Sequence, residues 1–192
     1  MRMLYIFDMG NVVITNIHCM EAIAKAFHLD KDAFFEDYQN YTVPVMEGSV
    51  QPHAYWEHVG LRFHVRITGE PFADYFHPVP NPDVIDTIKR LRKRGDRAVC
   101  GSNTIGPHWD IIAAMGLTDD LFDATYPSHL LSLSKPEPEY YQYIMDHEHA
   151  LAADTWFVDD YSWNIDAAAK LGIHTLLYDY QNVACREALQ RL

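Results

Sequence analysis

The sequence predicts an α/β fold in which a mostly parallel sheet is covered by helices and interrupted near the N-terminus by a small helical insertion. Three observations predict it. A short apolar run, Leu4 to Phe7, ends abruptly at Asp8 and leads into Gly10 and Asn11, as a buried strand leads into a loop. Strand-like and helix-like segments then alternate through the C-terminal half. Between the first strand and the next helix lie about seventy residues, far more than a βα connection spans.

That next helix is marked at both ends. Asn81 stands at the capping position, Pro82 at the first helical position, and Val84, Ile85, Ile88 and Leu91 form an apolar face that stops at Gly95. Three alternations follow: a strand over 97–101 with a helix over 109–115, a strand over 121–126 with a helix over 139–148, and a strand over 155–158 with a helix over 164–171. A last strand over 173–178 precedes a C-terminal helix. Within the insertion, 20–27, 31–38 and 52–63 have helical spacing and Gly48 marks a break, so residues 16–79 are expected to form a helical cap on a core of 1–15 and 80–192. Tyr55, Trp56, Phe63 and Phe72 are its expected small core, and an exposed member could stack on a sugar face.

With 192 residues the chain can bury one core and an insertion. No stretch approaches the roughly 18 consecutive apolar residues of a membrane span, and the N-terminus lacks the pattern of a secretory signal. A cytoplasmic protein without membrane association is expected, monomeric or a homodimer. Acidic residues outnumber basic ones 27 to 15. The one basic cluster, Lys89, Arg90, Arg92, Lys93 and Arg94, falls where it complements a helix C-terminus, so no nucleic-acid partner is expected. Cys19, Cys100 and Cys185 include no CxxC pair and read as small buried residues.

Four short segments at strand ends or just beyond them carry the chemistry: Phe7-Asp8-Met9-Gly10-Asn11-Val12, Gly101-Ser102-Asn103-Thr104, Lys135-Pro136 and Phe157-Val158-Asp159-Asp160. Open parallel sheets bind ligands at the carboxyl ends of their strands. Any one segment alone reads as ordinary loop, cap or turn chemistry. In this order and spacing the set resembles the four motifs of the haloacid dehalogenase (HAD) superfamily over nearly the whole chain. Phe-Asp-x-Gly-Asn-Val, Ser-Asn-Thr, Lys-Pro-Glu and Asp-Asp-x-x-x-Asn-Ile look most like the subgroup that includes bacterial α-D-glucose-1-phosphate phosphatase. The resemblance implies a three-layer, Rossmann-like core with a C1-type cap, and Mg²⁺-dependent hydrolysis of a small phosphorylated metabolite, a sugar phosphate such as glucose 1-phosphate among the candidates.

The roles follow from charge. A phosphomonoester dianion repels a carboxylate nucleophile, so attack by Asp8 requires a metal and a cation on the phosphoryl oxygens, and Lys135 supplies the cation. Mg²⁺ takes hard oxygen ligands. The resemblance assigns Asp8, Asp160 and the Gly10 carbonyl to it, with Asp159 held through water or one shell out, and Asn164 placed to orient the Asp160 carboxylate or its water. Ser102 and the Asn103 amide would bind phosphoryl oxygens.

One position departs from the pattern. Most phosphatases of the superfamily carry a second aspartate two residues after the nucleophile, as acid to the leaving group and base to the water, and here that position is Gly10. A missing general acid commonly costs about 10²- to 10⁴-fold in rate, less when the leaving alkoxide is stable, as in an anomeric phosphate. His108 and His18 are candidate substitutes. His53, His58, His64, His147 and His149 match no zinc pattern and are expected on the surface or in the cap. Two other readings remain: a 2-haloacid dehalogenase, which leaves Asp159 and Asp160 unexplained, and a non-catalytic sensor of phosphorylated metabolites, with Gly10 as the mark of lost catalysis.

Overall fold

The computed structural model describes residues 2–192. Its centre is a five-stranded sheet of β1 (Leu4–Phe7), β4 (Arg97–Ser102), β5 (Ala124–Pro127), β6 (Thr155–Asp159) and β7 (His174–Leu177) in the order β5-β4-β1-β6-β7. Every pairing is parallel, so the sheet goes beyond the mostly parallel expectation. β1 is central and buried at every residue, which is why it reads as a continuous apolar run.

Alternation along β1 divides the interior into two layers. Tyr5 and Phe7 pack with Val84, Ile88 and Leu91 of α6 (Pro82–Arg94), Ile112 of α7 (Gly106–Ala114) and Leu189 of α11 (Val183–Gln190). Leu4 and Ile6 pack on the opposite face with Tyr140, Tyr141, Ile144 and Met145 of α9 (Pro138–Glu148) and Ala168 of α10 (Ser162–Lys170). Gly101 makes the second layer possible. A Cβ there would lie 2.9 Å from Ile6 Cγ2 and 3.2 Å from Ile144 Cδ1.

Several element ends differ from expectation. Leu121 and Phe122 are not in a strand; their N–H groups donate to the Thr118 carbonyl at 3.0 and 2.8 Å, closing a buried turn, and β5 begins at Ala124. Their apolar character reflects burial in the core. α7 starts at Gly106, earlier than the apolar spacing suggested, because Pro107 supplies a first-turn residue that needs no N–H partner. Asn81 precedes α6, but its side chain makes no cap bond; it donates to the Val12 carbonyl at 2.9 Å and bonds the Tyr178 hydroxyl at 3.2 Å, tying α6 to the loop after β1. Cys19 and Cys100 are buried, whereas Cys185 is half-exposed on α11.

Between β2 (Ile14–Thr15) and β3 (Val79–Pro80), which pair antiparallel, lie five helices: α1 (Met20–Ala26), α2 (Lys31–Gln39), α3 (Thr42–Met46), α4 (Pro52–Phe63) and α5 (Pro71–Asp74). The short α3 and α5 were not foreseen. These helices share an apolar cluster built around Phe34, Tyr55, Trp56, Val59 and Phe72, against which Phe63 packs half-buried and which Ile105 of the core joins. Trp56 and Phe72 lie 4.4 Å apart by ring centroid. Buried Asp37 ties α2 to α4 through His58 at 2.9 Å and Arg62 at 3.0 Å, so His58 has a structural partner. Among the described residues no helix is long and apolar enough to cross a membrane.

Candidate active site

The carboxyl edge of the sheet brings the four sequence segments together. Asp8 follows β1, Ser102 closes β4 and Asp159 closes β6, so neighbouring strands deliver them side by side. Asp8 is held in line by its own N–H, which donates to the Val158 carbonyl at 2.9 Å. Lys135 comes from α8 (Ser128–Leu131) and the loop that follows it, and its ammonium donates to Asp8 Oδ1 at 2.6 Å and Asp159 Oδ2 at 2.8 Å. Its side chain is 1% exposed.

Two asparagines do more than the sequence suggested. The Asn103 side chain donates to the Lys135 carbonyl and accepts from the Lys135 N–H, both at 2.8 Å, so β4 positions the loop that carries the ammonium. Asn11, in a left-handed turn at φ 54°, donates to Asp160 Oδ2 at 3.0 Å. Asn164 was expected to orient the Asp160 carboxylate or its water; its amide nitrogen bonds the neighbouring Asp159 carboxylate rather than that of Asp160. Its Nδ2 reaches both oxygens of Asp159, at 3.0 and 3.1 Å, because α10 begins at Ser162 and turns Asn164 back under the strand end. Asp159 Oδ1 also accepts the Tyr161 N–H at 2.8 Å.

Asp159 is therefore fully partnered, while Asp160 is not. Asp160 Oδ1 and Asn164 Oδ1 are buried without a hydrogen-bond partner. Ligand oxygens of Asp8, Asp159 and Asp160 lie within 4.8 Å of one another. Three carboxylates face one ammonium, and burial pushes Asp8 up to about 7, opposed by Lys135 and reinforced by Asp159 and Asp160. Asp160 is raised as well, chiefly by burial and in part by Asp159, against the bond from Asn11. Burial works against the charge on Lys135, but Asp159 and Asp8 outweigh it and hold the ammonium protonated. An excess of hard anionic oxygens with an unpartnered buried oxygen among them fits a hard divalent cation such as Mg²⁺.

The cluster opens into a cavity of about 790 Å³ that runs from Asp8, Ser102, Asn103 and Lys135 to α1, α2 and α3. At Gly10 a Cβ would meet Ile17 Cδ1 at 2.9 Å, so Ile17 stands where a second acid's side chain would begin. Neither histidine candidate repairs the loss in evident geometry. His108 stacks on Phe76 at 3.9 Å and 13°, its Nε2 lies 3.7 Å from Cys19 Sγ, and burial lowers its pKa to about 4, so it is uncharged at neutral pH. His18 is exposed at the cavity rim.

A parallel sheet with this carboxylate and lysine edge defines a hydrolase of the HAD class, and the chain belongs to the haloacid dehalogenase-like hydrolase family, whose model matches residues 3–172. It is 24% identical over 190 residues to the sesquiterpene phosphatase astK of Aspergillus oryzae, covering 96% of this chain and 94% of that protein. Its fold is similar to that of a HAD-like family hydrolase from Porphyromonas gingivalis (TM-score 0.84, 20% identity, 100% and 99% of the two chains). It is similar also to a HAD family enzyme from Bacteroides thetaiotaomicron in complex with magnesium and inorganic phosphate (TM-score 0.80, 20% identity, 95% and 96% of the two chains).

Proposed function

We propose that this chain is a Mg²⁺-dependent phosphomonoester hydrolase that acts on a small phosphorylated metabolite through an aspartyl-phosphate on Asp8. The observation that carries the reading is the cluster of buried Asp8, Lys135 and Asp159 with half-buried Asp160, opening, beside Ser102, on a cavity larger than a phosphate. Asp8 attacks phosphorus, the bond from phosphorus to the ester oxygen breaks, and the alkoxide leaves, taking from solvent water the proton that the second step returns. Water then attacks the same phosphorus, releasing phosphate and restoring the carboxylate. Lys135 offsets charge on the phosphoryl oxygens and keeps Asp8 in position, with Ser102 Oγ and the Asn103 N–H as donors to those oxygens.

Asp8, Asp160, Asp159 and the Gly10 carbonyl would hold the Mg²⁺, which when bound supplies the positive charge that lets a carboxylate approach a dianion. Asn11 and Asn164 hold two of those carboxylates. Residues 16–79 serve as the cap over a core of 1–15 and 80–192, limiting access of bulk water. The net charge of −12 supports a small-molecule substrate over a polyanion, in a cytoplasmic protein.

A sugar phosphate such as glucose 1-phosphate satisfies the leaving-group argument raised by Gly10, whereas the name of the relative, a sesquiterpene phosphatase, brings an apolar alcohol into the range of small phosphoesters considered. One observation favours a second reading, a sensor that binds a phosphorylated metabolite without turnover: Gly10 has no acid and Ile17 fills the space beside it. Beryllofluoride binding beside turnover on a phosphoester panel separates the two. Asp8→Asn is expected to abolish turnover with the circular dichroism spectrum intact, and EDTA to abolish it until Mg²⁺ is returned. Retained turnover in Asp8→Asn would overturn the proposal, and EDTA-resistant action on 2-haloacids would point to carbon chemistry.

A further inference from the structure

Resting on the phosphatase reading, we infer that the substrate's alcohol is predominantly a hydrocarbon, and that its apolar body lies against the wall formed by Met20, Phe35, Tyr38, Met46, Phe72 and Phe76. The cavity, about 790 Å³, lies in the range that encloses a drug-sized ligand, so most of it serves the ester's organic part.

Of the polar groups in the wall beyond the phosphate end, three are already engaged, which leaves the Tyr38 hydroxyl and, at the rim, His18. Glu21 is paired with Lys31 at 2.8 Å, and Thr42 Oγ1 donates to the Tyr38 carbonyl at 2.9 Å. His108 is stacked face to face on Phe76 with Nε2 against Cys19 Sγ. A polyol placed here would bury hydroxyl groups against Met20, Met46 and Phe72 with no partner, each weakening binding about tenfold or more. A hydrocarbon gains about fourfold in affinity for each methylene removed from water. At the mouth, Tyr161 and Trp163 stack on each other at 4.4 Å and 25°, and Trp163 is 55% exposed, so its ring is available to the outer part of an apolar ligand.

The test uses the full-length protein with Mg²⁺ and a series of n-alkylphosphonates from methyl to octyl, whose phosphorus–carbon bond is not hydrolysed. Calorimetry is expected to show affinity rising about fourfold per methylene over the first several carbons. In parallel, octyl phosphate and a hexose 6-phosphate, both esters of primary alcohols, are compared as substrates, with kcat/KM for the octyl ester expected to be at least about 10²-fold higher. Phe35→Gln, on the half-buried side of α2, is expected to lower the gain per methylene. Affinity that stays flat from methyl to octyl, or a preference for the hexose ester, overturns the inference while leaving phosphatase chemistry standing. Rising alkylphosphonate affinity with no hydrolysis of any ester supports the apolar ligand and overturns the hydrolytic reading instead.

Discussion

Lys135 is the residue whose removal has the most calculable consequence. Its side chain, 1% exposed, lies 2.6 Å from Asp8 Oδ1 and 2.8 Å from Asp159 Oδ2, and Asp159 is itself 0% exposed. Lys135→Met keeps most of the side-chain volume and leaves two carboxylates facing each other without the cation. Removing one partner of a buried pair costs about 3–5 kcal/mol. Asp8 already titrates near 7, so it relieves part of that cost by taking up a proton, which places the expected loss near the lower end, about 3 kcal/mol. A carboxylate whose folded pKa is raised binds more protons folded than unfolded, so the loss is larger at pH 8 than at pH 5. Adding Asp159→Asn to Lys135→Met removes one of the stranded charges. The double variant is then expected to be more stable than the sum of the single changes, with an interaction energy of about 1–3 kcal/mol, yet to remain inactive. Urea unfolding in EDTA measures all four proteins. A loss under about 1 kcal/mol in Lys135→Met, or strict additivity in the double variant, would refute the electrostatic account of the cluster.

Three further outcomes are expected. Gly10→Asp with Ile17→Ala, which clears the methyl 2.9 Å from the new Cβ, should raise kcat on an unactivated alkyl ester about 10²-fold, while Gly10→Asp alone gains little; equal rates for wild type and double variant would contradict this. His108, lowered from 6.5 to about 4, binds a proton more readily unfolded than folded between those values, so the stability it contributes is lost as pH falls through that window. His108→Asn should flatten the fall in melting temperature between pH 7 and pH 5, and an unchanged slope would show that burial of this imidazole is not the cause. Asn103→Ala removes both bonds to the Lys135 backbone and is expected to lower kcat more than it raises KM, because the ammonium loses its register at roughly 1 kcal/mol per bond; a pure KM effect would place Asn103 on substrate binding instead.

What could be read from the sequence was local. The apolar run Leu4 to Phe7, ending at a carboxylate, locates the central strand, and Pro82 and Gly95 bracket α6 by rules that concern only neighbouring residues. Ordered motifs on a parallel sheet were enough to bring Asp8, Ser102, Lys135, Asp159 and Asp160 to one edge. The unforeseen features depend on contacts distant in sequence or on where an element begins. Asn164 serves Asp159 because α10 starts at Ser162, a matter of one helical turn. The Asn103 bridge to Lys135 spans 32 residues and leaves no periodic trace. Leu121 and Phe122 imitate a strand because a buried turn needs apolar residues as much as a strand does. The engagement of Cys19, Thr42 and His108, which takes three polar groups of the cavity wall out of play, is visible only once residues 16–79 are set against the sheet.

The central claim is that the phosphoryl group resides for a time on one carboxylate. Acid quenching of the Mg²⁺-loaded protein during turnover, followed by mass spectrometry of its peptides, is expected to find phosphate on the peptide containing Asp8, and none in Asp8→Asn or in EDTA. Steady turnover with unmodified Asp8 at every quench time, or phosphate on another residue, would contradict the account.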